Sequence, residues 1–150
     1  MKDMIKLLDK NLKYENHEII DGEIHIWVKS RQKVLPCPHC GAKSKKVHSS
    51  YHRTIQDLPI SGKKVYLKIT VRKMFCRNAA CGRKTFAETF EFVGVKGKKS
   101  LRLEKEIINI AMHSSSTEAS RMLNRSTVKI SSGTVRNLLK KMEVAQSGES

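Results

Sequence analysis

Four cysteines in two short pairs are the residues of this sequence whose types and spacing point most directly to chemistry. The first pair is Cys37 and Cys40, the second is Cys76 and Cys81, and the chain has no other cysteine. Zn²⁺ commonly takes four thiolates in a tetrahedron from two close cysteine pairs that a longer stretch separates. The spacing therefore predicts one structural zinc ion with a closed shell, because a catalytic zinc keeps one position open.

Two other uses of paired cysteines explain the sequence less well. A disulfide framework needs export, but residues 1–10 carry charged side chains where a signal peptide has an apolar run. A redox Cys-x-x-Cys motif would account for the first pair only. We expect a reducing, cytoplasmic location. His39 is expected to be a turn residue, and His48 and His52 are the alternative ligands if one cysteine does not bind.

The charge of the chain indicates a polyanionic partner. The chain has 30 lysines and arginines and 14 acidic residues, which gives a formal net charge of +16 over 150 residues. Such a charge favours nucleic acid, although it says nothing about the sequence recognised, and a ribosome-associated or merely soluble basic protein is the alternative. No run is long and apolar enough to span a bilayer, so no membrane partner is expected.

The elements that must position the cysteines predict an α+β protein, with a small β-rich zinc ribbon followed by a helical helix-turn-helix domain. Residues 1–34 are expected to form a helix and a hairpin that pack on the zinc unit, with Asp21-Gly22 as the hairpin turn. Residues 35–93 form the zinc ribbon in this prediction. A segment this small buries little apolar surface, so we expect the metal to supply much of its folding energy.

Within the predicted ribbon, the stretch 63–75 alternates apolar and polar residues and leads directly to Cys76. That alternation predicts a strand with one apolar and one cationic face. A turn is expected at Pro59–Gly62 before it. A return strand is expected at Arg83–Phe86 after the second pair, with the ring of Phe86 covering the site.

The C-terminal third is predicted to be helical. Residues 94–100 read as a basic linker and a domain boundary, 101–143 as the helix-turn-helix domain, and 144–150 as a disordered tail. Ser100 is expected to cap the first helix, and the third, at residues 131–142, to be the recognition helix. A second register, in which the recognition helix starts at Arg125, stays open.

We predict that cationic and polar side chains of these segments contact DNA. Those of the ribbon and the linker would hold phosphates, and those of the third helix would face a major groove. For the ribbon the alternative is a solvated face that offsets the negative charge of a zinc ion with four thiolates. The predicted contacts are Lys68, Arg72, Lys73, Arg83, Lys84, Lys98, Lys99, Arg125, Thr134, Arg136, Asn137 and Lys140.

The residues around the cysteine pairs carry a family resemblance, which covers about residues 1–142. The sequence resembles the N-terminal zinc-binding domain, and the segment after it, of bacterial insertion-sequence transposases of the ISL-three family. The matching motifs are Cys37-Pro38-His39-Cys40-Gly41, His48, Arg53, Asp57-Leu58-Pro59-Ile60-Ser61-Gly62-Lys63-Lys64-Val65, Val71-Arg72-Lys73-Met74-Phe75-Cys76 and Cys81-Gly82-Arg83-Lys84-Thr85-Phe86.

The resemblance implies a protein that binds the terminal inverted repeats of its element as double-stranded DNA, with a homodimer expected on the two ends. It assigns zinc to Cys37, Cys40, Cys76 and Cys81 and implies a nucleoid-associated location in a bacterial cytoplasm. The family cuts DNA with an acidic triad in a large downstream domain, which has nothing to map onto here. We therefore expect a DNA-binding region that is not itself an enzyme: a fragment, a truncated product or a shortened protein.

Two other functions use the same residues. One is a stand-alone zinc-containing transcriptional regulator, such as a repressor of the parent element. The other is a zinc-dependent protein-interaction module, in which the basic face serves solubility or RNA. Weak binding that is blind to DNA sequence would favour the second.

Overall fold

The computed structural model describes residues 2–112, 117–118, 121 and 132–147. Three helices and seven strands are named here in chain order. They are α1 (Lys2–Leu8), β1 (Leu12–Ile20), β2 (Glu23–Ser30), β3 (Leu35–Pro36), β4 (Lys43–Ser44), β5 (Val47–Ile60), β6 (Lys63–Phe75), β7 (Thr85–Ala87), α2 (Leu101–Ala111) and α3 (Ser132–Ser147). No helix in these ranges is long and apolar enough to cross a membrane.

Two hairpins with tight two-residue turns build most of the sheet. Asp21 and Gly22 connect β1 to β2 with φ values of 50° and 77°, which confirms the predicted Asp-Gly turn. Ser61 and Gly62 connect β5 to β6 with φ values of 50° and 75°. Two successive positive φ angles match the right-handed twist of paired strands. The second turn is shorter than predicted, because β5 continues through Ile60.

A parallel pairing joins the two hairpins into one sheet. β2 runs parallel to β6, with Ile26 opposite Leu67 and Val28 opposite Ile69. The strand order is β1-β2-β6-β5, β7 pairs with β6, and β3 and β4 form a separate two-stranded sheet. The N-terminal hairpin therefore shares backbone hydrogen bonds with the strand that carries Cys76, which is a closer connection than the predicted packing.

One face of the sheet carries an apolar core. Alternate residues of β6 from Val65 to Val71 are buried, as the period-two pattern predicts. They pack with alternate residues of β2, with Ile5 of α1, and with Phe92 and Val93 after β7. Because this core contains no cysteine, the expectation that the metal supplies the folding energy does not apply to the sheet.

The segment predicted as a basic linker, residues 94–100, lies as a strap along the edge of β5. Arg53 donates to the carbonyl oxygens of Gly94 and Gly97 at 3.0 and 2.8 Å. The Gln56 N–H donates to Lys98 O, and the Ser100 N–H donates to Gln56 O, both at 2.9 Å. These four bonds hold the predicted linker against β5.

A buried carboxylate connects the sheet to the helices. Asp57 of β5, whose side chain is 3% exposed, pairs with Arg102 of α2. The same carboxylate accepts hydrogen bonds from Ser100 Oγ at 2.6 Å and Arg102 Nε at 2.8 Å. Ser100 Oγ also accepts from the Leu103 N–H at 3.2 Å, so the predicted serine cap of α2 is present.

Helices α2 and α3 pack on each other through a second apolar cluster. Its buried members are Leu103, Ile107, Ala111, Val135 and Leu138. α3 extends to Ser147, so residues 144–147 of the predicted tail are helical. Thr117, Glu118 and Arg121 are helical, but most of the predicted second helix and the turn after it lie outside the described residues. The helix-turn-helix arrangement therefore stays a prediction.

Candidate metal centre and the basic surface around it

The first cysteine pair lies in the turn between β3 and β4. The Cys37 N–H donates to Ala42 O at 2.9 Å, and the Gly41 N–H donates to Cys37 O at 2.8 Å. Gly41 has φ +76°, a left-handed conformation that residues with a Cβ rarely adopt. The glycine therefore closes the turn that directs both thiols toward one point.

The second cysteine pair lies between β6 and β7. β6 ends at Phe75, so the strand delivers Cys76 directly, and the Cys76 N–H donates to Lys84 O at 2.8 Å. Asn78 shapes the turn, because its carbonyl oxygen accepts from the Cys81 N–H at 3.0 Å and its side chain accepts from the Ala80 N–H at 3.0 Å. We call residues 35–44 and 74–87 the zinc end of the molecule.

The four sulphurs converge as a zinc site requires. The Sγ atoms of Cys37, Cys40, Cys76 and Cys81 all lie within 4.8 Å of one another, and those of Cys40 and Cys76 are 3.6 Å apart. Zn–S bonds of about 2.3 Å in a tetrahedron place sulphurs roughly 3.8 Å apart. The geometry fits one structural Zn²⁺ with four thiolate ligands.

Neither alternative histidine ligand belongs to this cluster. The ring of His48 meets the edge of Phe75 at 5.0 Å between centroids, and its Nδ1 is 2.9 Å from Ser49 Oγ. His52 lies on the sheet, with its Nδ1 3.5 Å from Thr70 Oγ1. His39 is exposed in the first turn, as predicted. Among the described residues, the metal-binding cluster consists of the four cysteines alone.

Crowding of the thiols changes their acidity in the metal-free site. A hydrogen bond from the backbone of Ala42 lowers the pKa of Cys40 to about 7. For Cys76, a backbone hydrogen bond from Asn78 acts to lower the pKa, but desolvation and the three neighbouring sulphurs outweigh it and raise the pKa to about 12. A dication offsets the repulsion that otherwise keeps four adjacent thiols from all being ionised.

The apolar cover of the site is small. Leu35, Cys37, Met74 and Phe86 form a buried cluster, with Cys76 and Cys81 packed against it. Phe86 is 4% exposed, which confirms the prediction that its ring covers the site. An apolar cluster of so few side chains contributes little to the stability of the segment. We therefore expect the metal to supply much of the folding free energy of the zinc end.

Acidic residues are almost absent from the zinc end and from strands β5, β6 and β7. Asp57 is the only acidic residue between Glu23 and Glu88 in the sequence. Asp57 is paired with Arg102, and Glu88 with Arg72. Both carboxylates are buried and neutralised, so little negative charge offsets the exposed lysines and arginines around them. This gap in the acidic residues is a sequence signal that the predictions above did not use.

Arg72 has a different role from the predicted phosphate contact. Its guanidinium donates to both carboxylate oxygens of Glu88, at 3.2 and 2.9 Å, and to Gln32 O at 2.5 Å. The Glu88 side chain is 2% exposed. Breaking such a pair would leave a buried charge alone, so Arg72 serves to tie β6 to the segments after β2 and β7.

The other predicted contacts of the ribbon and the strap fall into two groups. Arg83 and Lys84 are exposed at the zinc end, Lys73 is exposed on β6 directly before it, and Lys98 is exposed on the strap. Lys68 is half-buried in the middle of the sheet, where its Nζ donates to Thr54 Oγ1 at 3.1 Å. Lys99 is also half-buried, and burial lowers its pKa.

The predicted contacts of the helical domain are partly described. Arg136, Asn137 and Lys140 are exposed on α3, whereas Thr134 is half-buried in its first turn. The buried Val135 and Leu138 face α2, which leaves the opposite side of α3 to the polar residues. Arg125 lies outside the described residues.

A basic groove that the sequence did not reveal lies beside β1 and β2. It has a volume of about 520 Å³. Four of its lining residues, all but one of them in residues 29–33, are exposed cations, and the pairing of β1 with β2 adds Lys13 to the other three. Its lining residues are Lys13, Lys29, Ser30, Arg31, Gln32, Lys33, Thr70 and Arg72.

Comparison with known proteins agrees with the metal centre. Residues 33–81 match the family described as the zinc-finger of transposase IS204/IS1001/IS1096/IS1165. Over 59 residues the chain is 36% identical to the transposase for insertion sequence element IS1001 of Bordetella parapertussis, which is 39% of this chain and 14% of that relative's length. No solved structure matches. The segment that holds the four cysteines is thus similar to a transposase zinc finger, which confirms the resemblance seen in the sequence.

Proposed function

We propose that this chain is the DNA-binding region of a bacterial transposase, which recognises the ends of its element and carries no catalytic activity of its own. One observation carries the proposal: the four cysteines converge inside the segment, residues 33–81, that matches a transposase zinc finger. The net charge of +16 supports a polyanionic partner.

In this proposal the zinc end holds the DNA backbone. The metal fixes the two turns, and the exposed Lys73, Arg83 and Lys84 lie on the chain segments that enter and leave the second turn. Lysine and arginine that neutralise phosphates release condensed counterions, which gives affinity without sequence preference and a steep dependence on salt. The zinc end therefore supplies affinity.

Sequence is read by α3 in the same proposal. Arginine pairs with the O6 and N7 atoms of guanine, and asparagine with the N6 and N7 atoms of adenine, in the major groove. Arg136 and Asn137 are adjacent and exposed on α3, with Lys140 one turn further along. Two copies of the chain on inverted repeats, in a nucleoid-associated complex, would follow from this use of the helix.

The experiment compares Arg136→Ala with Lys84→Ala. A preferred duplex is first selected from a random library with the full chain, and affinities are then measured for it and for scrambled duplexes. Arg136→Ala should lose about 1–3 kcal/mol on the preferred duplex and little on scrambled ones. Lys84→Ala should weaken all duplexes equally and reduce the salt slope by about one.

Lys6→Ala on α1 is the control for the loss of one exposed charge, and it should change neither quantity measurably. Sequence recognition by α3 would be contradicted if selection yielded no preferred duplex. It would also be contradicted if Arg136→Ala lowered the affinity equally for every duplex. Sequence-blind binding of that kind would favour the zinc-dependent interaction module instead.

A further inference from the structure

The face of the sheet opposite the apolar core is uncovered over its middle part in the described chain. α1, Phe92 and Val93 pack on the apolar face. The residues of the opposite rows are half-buried or exposed, apart from Gln56 on β5 and Met74 at the zinc end, which are buried. We call this surface the open face. It consists of His25, Trp27 and Lys29 on β2, Tyr66, Lys68 and Thr70 on β6, and His52 and Thr54 on β5.

Aromatic rings cluster at one end of the open face. His25 stacks on Tyr66 across the parallel pair, with 5.4 Å between ring centroids and 28° between planes. Trp27, the only tryptophan of the chain, lies 6.5 Å from His25 by the same measure. Large rings usually go into a core, and here three stand together on the side that no described helix covers. Such rings are suited to stacking on flat, unpaired partners.

Positive charge is concentrated at the other end of the open face. Lys29 is two residues beyond Trp27, about 6.6 Å along the strand, and it borders the basic groove. Lys13 lies directly opposite Lys29 in the β1–β2 register. Like charges in that position repel each other. An exposed pairing of Lys29 with Glu15 at 3.8 Å relieves this repulsion only weakly.

From this juxtaposition we infer that the open face and the basic groove together bind single-stranded DNA. Phosphates lie in the groove against Lys13, Lys29, Arg31 and Lys33, and bases stack on Trp27 and its neighbours. Rings beside a basic channel are the general arrangement by which proteins hold unpaired strands. A duplex would not expose base faces to the rings. The carboxylate of Glu23, 3.9 Å from His25 Nε2, can accept a hydrogen bond from an exocyclic amine of a base.

The choice of DNA over RNA rests on the proposed function, since the ends of a mobile element become unpaired when strands are opened or cut. The surface is separate from α3 and from the zinc end, where duplex binding is proposed. Loss of one activity therefore need not remove the other, and the two can be measured on the same protein.

The single tryptophan permits a direct test with the full chain. Its fluorescence is followed while oligothymidylate, oligouridylate or a duplex is added, and binding is measured in parallel by anisotropy of labelled oligonucleotides. Oligothymidylate should quench Trp27 in a saturable way that follows binding. A bound duplex should leave the emission largely unchanged.

Variants separate stacking from charge. Trp27→Leu should weaken oligothymidylate binding about tenfold, whereas Trp27→Phe, which keeps a ring, should restore most of the affinity. The double variant Lys13→Gln with Lys29→Gln should bind oligothymidylate about tenfold more weakly. The salt dependence of its binding should fall by roughly 1.4 in slope, because two phosphate contacts are removed. The control variant, Lys2→Gln with Lys6→Gln, removes two charges from α1 on the other side of the sheet. Its affinity for oligothymidylate should fall by less than about threefold.

Four outcomes would overturn the inference. They are unchanged Trp27 emission when oligothymidylate is bound, equal losses for the two double lysine variants, equal affinities for Trp27→Leu and Trp27→Phe, and tighter binding of oligouridylate than of oligothymidylate. Duplex binding that persists alongside any of these would leave the proposed function intact. Duplex binding that is absent while Trp27 is quenched would remove the proposed function and retain the open face as a single-strand site.

Discussion

The zinc end and the apolar core of the sheet hold the same strand, β6, by different means. The core buries a continuous set of aliphatic side chains that includes Val65, Leu67, Ile69 and Val71. The buried apolar residues of the zinc end are only Leu35, Cys37, Met74 and Phe86. Burial contributes in proportion to apolar area, so we expect the core to stay folded without the metal and the zinc end to depend on it. Removal of the metal should therefore act locally.

The largest effect is expected from the loss of one zinc ligand. Structural zinc contributes about 10–16 kcal/mol of apparent binding free energy in zinc-finger peptides. Cys76→Ser should abolish stoichiometric zinc and remove amide-exchange protection at the zinc end. Protection should persist in β2 and in β6 from Val65 to Ile69. Hydrogen exchange followed by mass spectrometry measures both regions at once.

His39→Ala is the matched control, because His39 is exposed in the first turn and is not part of the cysteine cluster. This variant should keep both the zinc and the protection. If Cys76→Ser instead removed protection throughout the sheet, the two regions would be one cooperative unit and the comparison would be wrong.

A smaller but global effect is expected from the core. Leu67 is fully buried, and Leu67→Ala should lower the free energy of unfolding by about 2–5 kcal/mol through lost burial and the cavity left behind. Zinc should remain bound at one equivalent in the folded protein. Urea unfolding with zinc held in excess measures the change.

Leu7→Ala is the same substitution at a leucine that is 83% exposed, and it should cost less than about 0.5 kcal/mol. Similar losses at positions 7 and 67 would show that the sheet face does not carry the stability assigned to it.

The smallest effect concerns the connection between the sheet and the helices. Asp57→Asn removes the charge that Arg102 faces but keeps an acceptor for Ser100. Because the Arg102 side chain is 36% exposed, solvent screens part of the interaction. We expect a loss of about 1–2 kcal/mol, with hydrogen exchange rising first in α2 and leaving the zinc end unchanged.

Asp3→Asn, at an exposed position on α1, controls for the loss of one carboxylate and should be neutral. If hydrogen exchange rose equally at the zinc end, Asp57 would stabilise the whole molecule. The account limits its effect to the contact between β5 and α2.

Local patterns explain which parts of the structure could be predicted. The Asp21-Gly22 turn, the alternation that makes β6 and the Ser100 cap each depend on a few neighbouring residues, and all three are present. The cysteine spacing identified the metal site for the same reason, since each pair is a short turn that is complete in itself.

Pairings between distant segments could not be read from the sequence. The parallel contact of β2 with β6 joins residues some forty positions apart, and no local signal specifies it. Arg72 looked like a free cation because Glu88, its partner, follows a turn and another strand. The strap at 94–100 was predicted as a linker from its glycines and lysines, because its backbone hydrogen bonds with β5 have no signature in the residue types. The basic groove depends on the same long-range pairings.

Native mass spectrometry of the purified chain, combined with thiol alkylation, tests the central claim most directly. The account predicts one zinc ion per chain, with all four cysteines protected from alkylation until a strong chelator is added. After chelation, all four should react while the far-ultraviolet circular dichroism of the sheet is largely retained. A folded protein without metal and with four freely reactive thiols would contradict the account.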